Sequence, residues 1–392
     1  MRIHALDGLR WIASTQIVIF HFYTDWVGPF AVFSEWGQTW TQFFFLISGF
    51  VLASAEFARA VDDQVCLMKY VFRRLRLIYP AYILSILLQV ALEPNKTHFQ
   101  WRMFPLEIVL MQSWFPQCVE TSHGVLKCNA FGSNTVAWFL SVLLLYWLVV
   151  RPVARALKHR SVAFDVVITI CCWLVSFLLQ WLSEDNRLAA MVGCRNDACD
   201  KVCIMYLRYS PYGYFHVFLA GVAAARIYSQ DGAVSGGDCA WTPVAKLAPA
   251  LAALLRHGCC LGFFGYAVLM CAVPGAIRTH HVFLHNGGLL PLQLLILLGA
   301  AAGTDHVASA LANEPMAWLG RLSYVQYLMQ SFVRSWMEHA FGKGTLTRLA
   351  YLPALVLFSW CCQFLWLEAS RPEAAAASLL SGAQRGACGL GD

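Results

Sequence analysis

Ten stretches of about 20 residues, each dominated by apolar side chains, recur along this 392-residue chain, and a helix of that length crosses a bilayer. They lie at approximately 8–27, 37–57, 74–93, 136–155, 163–182, 210–228, 248–273, 286–303, 317–340 and 346–367. The expected fold class is therefore all-α: a polytopic integral membrane protein with about ten transmembrane helices. Composition agrees, since 59% of residues are hydrophobic and 13% charged, against about 45–50% and about 25% in soluble domains. A shorter amphipathic piece, FPLEIVLMQSWFP at 104–116, reads as re-entrant or interfacial. The first window lacks a small-residue cleavage pattern after its apolar run and reads as a retained helix. No 20–50-residue repeat and no second soluble domain are legible.

The formal charge of +6 calls for no nucleic acid, because the basic residues gather in short loops between apolar windows. Residues 58–76 hold Arg59, Lys69, Arg73, Arg74 and Arg76; residues 151–162 hold Arg151, Arg155, Lys158 and Arg160. With an even number of spans, both loops share a side with both termini, and positive loops mark that side as cytoplasmic. The longer loops at 94–135 and 183–209 then face outward. They carry Cys118, Cys128, Cys194, Cys199 and Cys203, where an oxidising compartment permits disulfides and an odd count leaves one thiol over. Zinc is the rival reading for the last three, but their spacing is not that of a CxxC knuckle. Asn95-Lys96-Thr97 forms a glycosylation sequon on the same side. The loop at 229–238 and the tail at 373–392 are rich in Gly, Ala and Ser and read as flexible.

The first window, GLRWIASTQIVIFHFYTDWV, carries ionisable groups at regular spacing. Arg10 and His21 are separated by ten residues, so eleven steps of about 100° return His21 to nearly the azimuth of Arg10, about 16 Å further along the axis. Asp7, Ser14 and Asp25 join the stripe. Such groups are expensive in lipid and persist where they face protein or a water-filled path. An interfacial anchor at Arg10 and a satisfied core histidine would be the plainer explanation. The segment YVFRRLRLIYPAY places Arg73 and Arg76 one turn apart with Arg74 beside them; three guanidinium groups there can grip phosphates, although positive-inside anchoring also accounts for them. In FFFLISGFVLA, Ser48-Gly49 permits close approach between helices.

Taken in order, LDGLRW with its His, then FFFLISGF, then FRRLRLIYPAY resembles membrane acyltransferase family 3, the integral-membrane O-acyltransferases. The likeness continues through VLMQSW (109–114), Trp138 with Ser141, SPYGYFHVFLAG (210–221), GLLPLQ (288–293), LGRLSYVQYL (319–328) and Glu368 with Arg371-Pro372. The resemblance implies a ten-helix enzyme, over residues 1–370 with a flexible cytoplasmic tail at 371–392, that moves an acyl group from cytoplasmic acyl-CoA to a hydroxyl across the membrane. It makes acyl-CoA (acetyl-CoA) a co-substrate with no bound cofactor or metal, and a carbohydrate or small molecule the acceptor. His21 becomes the catalytic residue, and Arg10, Arg73, Arg74 and Arg76 belong near the acyl donor. Ser48, Trp138, Ser141, Tyr324 and Gln330 serve acceptor binding or packing. Spacing alone adds Asp25, one turn beyond His21, as a carboxylate able to orient its imidazole.

Two departures stand out. Leu143 and Leu144 occupy the stretch where the family usually has an acid, and Gln330 stands where a His is common. Either the acceptor differs, or another carboxylate such as Glu35 or Asp25 substitutes, or activity has been lost. A catalytically silent relative and a small-molecule transporter are the rival functions, the second disfavoured by the lack of paired halves with broken helices. No appended extracytoplasmic hydrolase-like domain is legible, so transfer is expected to be completed within the membrane domain.

Overall fold

The computed structural model describes residues 3–23, 31–59, 66–93, 97–120, 126–194, 196–229 and 254–365. Helices overlap all ten apolar windows: α1 His4–Tyr23, α2 Trp40–Phe57, α3 Leu67–Leu92, α4 Trp138–Leu157, α5 Val162–Ser183, α6 Pro211–Ser229, α7 Gly258–Ala272, α8 Leu290–Ala302, α9 Glu314–Phe341 and α10 Thr345–Leu365. Among the described residues, six stretches are long and apolar enough to cross a membrane: those carrying α2, α3, α4, α5, α8 and α10. The expected count of about ten is thus not reached on length and composition alone: α7 is an apolar helix of 15 residues, and α1, α6 and α9 are more polar. Helix α6 buries 13 of its 19 residues, whereas only 17% of the apolar window in α10 is buried. A helix walled by protein can carry polar groups that its neighbours satisfy; one facing lipid cannot. The more polar helices α1, α6 and α9 follow that rule.

Helix α9 starts at Asn313, whose side chain accepts from the Met316 N–H, and stops at Gly342 in a positive-φ conformation (φ 73°). Two glycines set the central packing. A Cβ on Gly49 of α2 would lie 2.2 Å from the Phe218 carbonyl oxygen of α6, and one on Gly221 of α6 would lie 2.2 Å from that of Leu46. Only hydrogen fits at either position, so α2 and α6 meet backbone to backbone. Ser48, next to Gly49, is half-buried.

Helices α1 and α9 run parallel along a polar seam. Ser14 Oγ donates to the Ser323 carbonyl (3.2 Å), Gln326 Nε2 to Thr15 Oγ1 (3.4 Å), and Arg334 Nη1 to the His21 carbonyl (2.5 Å). Ser14 therefore faces α9, whereas Asp7 is buried and pairs with Arg10 at 3.0 Å. The single stripe expected on α1 divides between a packing role and an ion pair.

The long loops at 94–135 and 183–209 are built rather than irregular. A hairpin, β1 Gln117–Glu120 and β2 Leu126–Asn129, packs on the Asp197–Tyr209 helix, and Phe131 meets Tyr209 edge-on. Disulfides join Cys118 to Cys128 and Cys194 to Cys199, while Cys203 keeps a thiol 3.7 Å from the Cys194 sulfur. The odd cysteine of these two loops is Cys203, and burial pushes its thiol pKa up. The segment 104–116 enters the bundle rather than lying on a surface: Leu110, Gln112 and Ser113 are buried, and Leu110 turns the chain at φ 57°.

Candidate functional site

Near the last turn of α1, His21 lines a cavity of about 600 Å³. It is an exposed side chain rather than a satisfied core histidine, so the imidazole is presented to the space. Four elements close that space around it. The end of α3 supplies Gln89 and Glu93, and the approach to α4 supplies Ser133 and Thr135. Helix α9 contributes Gln330, Arg334, Ser335 and Glu338, and α10 contributes Tyr351. Arg334 ties the wall together: Nη1 holds the His21 carbonyl, Nε bonds Glu338 at 3.0 Å, and the guanidinium sits 5.6 Å over the Phe22 ring. Capping the last carbonyls of α1 with a cation opposes their partial negative charge and fixes the turn that bears His21. Phe22 also stacks on Tyr351 at 3.8 Å.

Under this cavity lies Glu107, fully buried, which accepts from the Ser133 hydroxyl at 2.7 Å and from the Ser133 backbone N–H. Burial pushes its carboxyl pKa up to about 6, against those hydrogen bonds, which pull it down. It holds the turn before α4 that brings Ser133 and Thr135 to the cavity.

The arginines gather at the other end of the bundle. Arg73 and Arg76 are exposed on α3. Arg74 lies over the Tyr70 ring at 5.4 Å, together with Arg59 (5.8 Å) and Arg151 (5.9 Å). Arg151 and Arg59 both pair with Glu56, at 3.1 and 2.8 Å. Arg10 belongs to this end, held by Asp7. Arg10 and His21 thus mark opposite ends of α1 rather than one constellation.

Of the remaining candidates, Gln330 lies on the cavity, and its carbonyl accepts from the Tyr351 hydroxyl at 2.9 Å. Trp138, Ser141 and Tyr324 do not line it. Ser141 bonds Ser113 Oγ at 2.8 Å, and its carbonyl takes the Trp114 indole N–H at 2.8 Å, so it anchors the segment that enters the bundle. Trp138 packs against Tyr209 and Tyr214, and the Tyr324 hydroxyl donates to the Ile78 carbonyl. These three pack the bundle. Asp25 lies outside the described residues. Glu35 pairs with Arg278 and does not line the cavity, so among the described residues the carboxylates near His21 are Glu93 and Glu338. Leu143 is core.

Arg334 and Glu338 were missed in sequence although Gln330, Arg334 and Glu338 fall at i, i+4 and i+8 on one face of α9. Glu93 left a fainter trace, an acid at a helix C-terminus, where cations are favoured. A second polar cluster, in which Arg208 Nη2 bonds His281 Nε2 at 2.8 Å and Tyr214 bonds His285, left none that periodicity could find.

A polytopic bundle with a histidine-lined cavity at one end and grouped arginines at the other is consistent with the family that the chain belongs to, acyltransferase family 3, whose model, described as an acyltransferase domain, matches residues 3–367. The chain is an integral, multi-pass membrane protein. Its curated relatives include the O-acetyltransferase OatA of Staphylococcus aureus strains NCTC 8325 / PS 47, COL and MRSA252, each 21% identical over 372 residues, covering 90% of this chain and 54% of the relative. The chain spans about half the length of these curated relatives. No solved structure matches it.

Proposed function

We propose that this protein is a membrane O-acetyltransferase that takes an acetyl group from cytoplasmic acetyl-CoA and transfers it to a hydroxyl of a carbohydrate or related acceptor, at His21. The observation that carries this reading is the position of His21 on the wall of a polar cavity, eleven residues along α1 from Arg10, with Arg73, Arg74 and Arg76 near the opposite end of α3 from the cavity residues Gln89 and Glu93. Guanidinium groups suit the phosphates of CoA, and an imidazole suits removal of a hydroxyl proton as attack on a thioester carbonyl begins. In this reading all ten helices span, the two termini are cytoplasmic, and the arginine end faces the cytoplasm. The α1–α9 seam, with Ser14, Thr15, Ser323 and Gln326, then lies between the donor end and the acceptor cavity. Residues 1–370 act as the transfer domain and 371–392 as a cytoplasmic tail.

Purified protein in nanodiscs, given radiolabelled acetyl-CoA and membrane glycans, is expected to pass label to a hydroxyl-bearing product or to release CoA slowly by hydrolysis. A silent relative is the second reading, favoured by Leu143 in the core and by Gln330. CoA binding with no turnover would select it.

A further inference from the structure

We propose that Arg208 and His281 form a recognition site for an oxyanion, a phosphate or a carboxylate, in the polar cluster beside α6. Arg208 stands in the last turn of the Asp197–Tyr209 helix, and His281 and His285 lie one turn apart on the short helix His281–His285. Asn286 holds the two helices together: its side-chain amide donates to the Leu207 and Arg208 carbonyls, each at 3.3 Å, and to that of Gly213 at 3.0 Å. Arg208 Nη2 then reaches His281 Nε2 at 2.8 Å, and the guanidinium lies 5.1 Å over the Tyr209 ring. The His281 and His285 rings stack at 5.4 Å, and the Tyr214 hydroxyl bonds His285 Nδ1.

A guanidinium only donates, so His281 Nε2 accepts and its Nδ1 carries the ring hydrogen. That Nδ1 and Arg208 Nε are both buried, and among the described residues neither meets an acceptor. Arg151, Arg187 and Arg334 each meet a carboxylate within 3.2 Å. Arg208 meets none among the described residues, and the side chain it bonds is a neutral imidazole. A positive charge taken partly out of water without a counter-charge is costly, and buried donors without acceptors add to that cost. A cation in the last turn suits the helix dipole, but a fully solvated one serves as well, without two histidines against it. Arg208 and His281 are half-buried and so remain open on one side. An oxyanion entering there supplies both the missing acceptors and the missing charge, in a geometry a guanidinium matches. A neutral ligand supplies only acceptors, and a cation supplies neither.

The oxyanion can belong to a soluble molecule or to a lipid headgroup, and one titration separates the two. The full chain, in nanodiscs of phosphatidylcholine, is titrated at constant pH and ionic strength with inorganic phosphate and with glucuronate, against chloride, while thermal unfolding is followed. Wild type is expected to gain stability saturably with the oxyanions and not with chloride. Arg208→Gln should raise the apparent Kd about ten- to a hundredfold, and Arg208→Lys, which keeps the charge and loses the fork, should recover part of that. His281→Gln should weaken binding severalfold and keeps the test decisive if Arg208→Gln does not fold. Arg187→Gln, in the same loop but paired with Glu184 and Asp185, should bind as wild type does. In discs that also hold phosphatidic acid, a headgroup ligand would leave wild type already stabilised relative to Arg208→Gln, with nothing added by phosphate. A soluble ligand would leave the phosphate titration as it was. No saturable stabilisation of wild type by either anion or by the lipid overturns the site. So does binding that Arg208→Gln and His281→Gln leave unchanged, or that Arg187→Gln weakens as much as they do.

Discussion

The two ends of α1 present opposite kinds of surface. At the Arg10 end cations predominate and are shared between helices: Arg59, Arg74 and Arg151 converge on Tyr70, Glu56 lies between two of them, and Asp7 pairs with Arg10. At the His21 end the charges are mixed, with Glu93, Glu338, Arg334 and Lys343 lining one cavity. A surface of like cations attracts a polyanion with little demand on shape. A cavity of mixed charge, hydroxyls and amides selects by shape and hydrogen bonds. The contrast assigns a charge-driven role to one end and a geometry-driven role to the other, as a donor site and an acceptor site require under the proposed function.

The largest effect should come from the cavity end. His21→Ala is expected to lower turnover by about 10²–10⁴ without disturbing the fold, because the side chain is exposed and its backbone carbonyl keeps Arg334. Turnover above about a tenth of wild type would remove His21 as the base and with it the contrast between the ends.

At the arginine end, Arg73→Ala and Arg76→Ala should each raise the KM for acetyl-CoA about ten- to a hundredfold and leave the acceptor KM alone, since a charge-assisted bond contributes about 1.5–3 kcal/mol. Steady-state kinetics with each substrate varied in turn would check this. Equal CoA binding in both variants would return these arginines to topological anchoring.

Glu107 offers a pH test confined to the cavity end. Its folded pKa of about 6 lies above the ordinary 4.5. The native state therefore binds the proton more tightly, and its stabilising contribution is full below pH 4.5 and is lost as pH rises through about 6. The loss is on the order of 2 kcal/mol. Thermal unfolding across that window should show the slope in wild type and a flatter one in Glu107→Gln; identical slopes would place the titration elsewhere.

The smallest effect is expected of Cys203→Ser. With Cys194 and Cys199 already joined, the change should move stability by less than about 0.5 kcal/mol and remove one thiol from a labelling count made on unfolded protein. A larger loss would mean that Cys203 shares the disulfide.

Much of this contrast could be read from sequence, because helix geometry is local. Eleven residues of helix separate Arg10 from His21 whatever the chain packs against, so their placement at two ends follows from the rise per residue. The same holds for Arg73 and Arg76 on one face and for Gly49 at a close approach. Apolar windows located all ten helices, the more polar α1, α6 and α9 among them. Trp138 and Ser141 were legible as special, yet what they hold, the segment at 109–116, is a contact across 28 residues.

The sequence by itself determined the helical class, the family, and the distance between the arginine and histidine ends, all of which rest on local periodicity or on motifs within single helices. Only the tertiary structure decided which carboxylates share the cavity with His21. Glu93 sits 72 residues from His21 and Glu338 lies 317 away, and no period or spacing relates positions on separate helices. Their meeting depends on how α1, α3 and α9 pack, which is set by the summed contacts of the whole bundle.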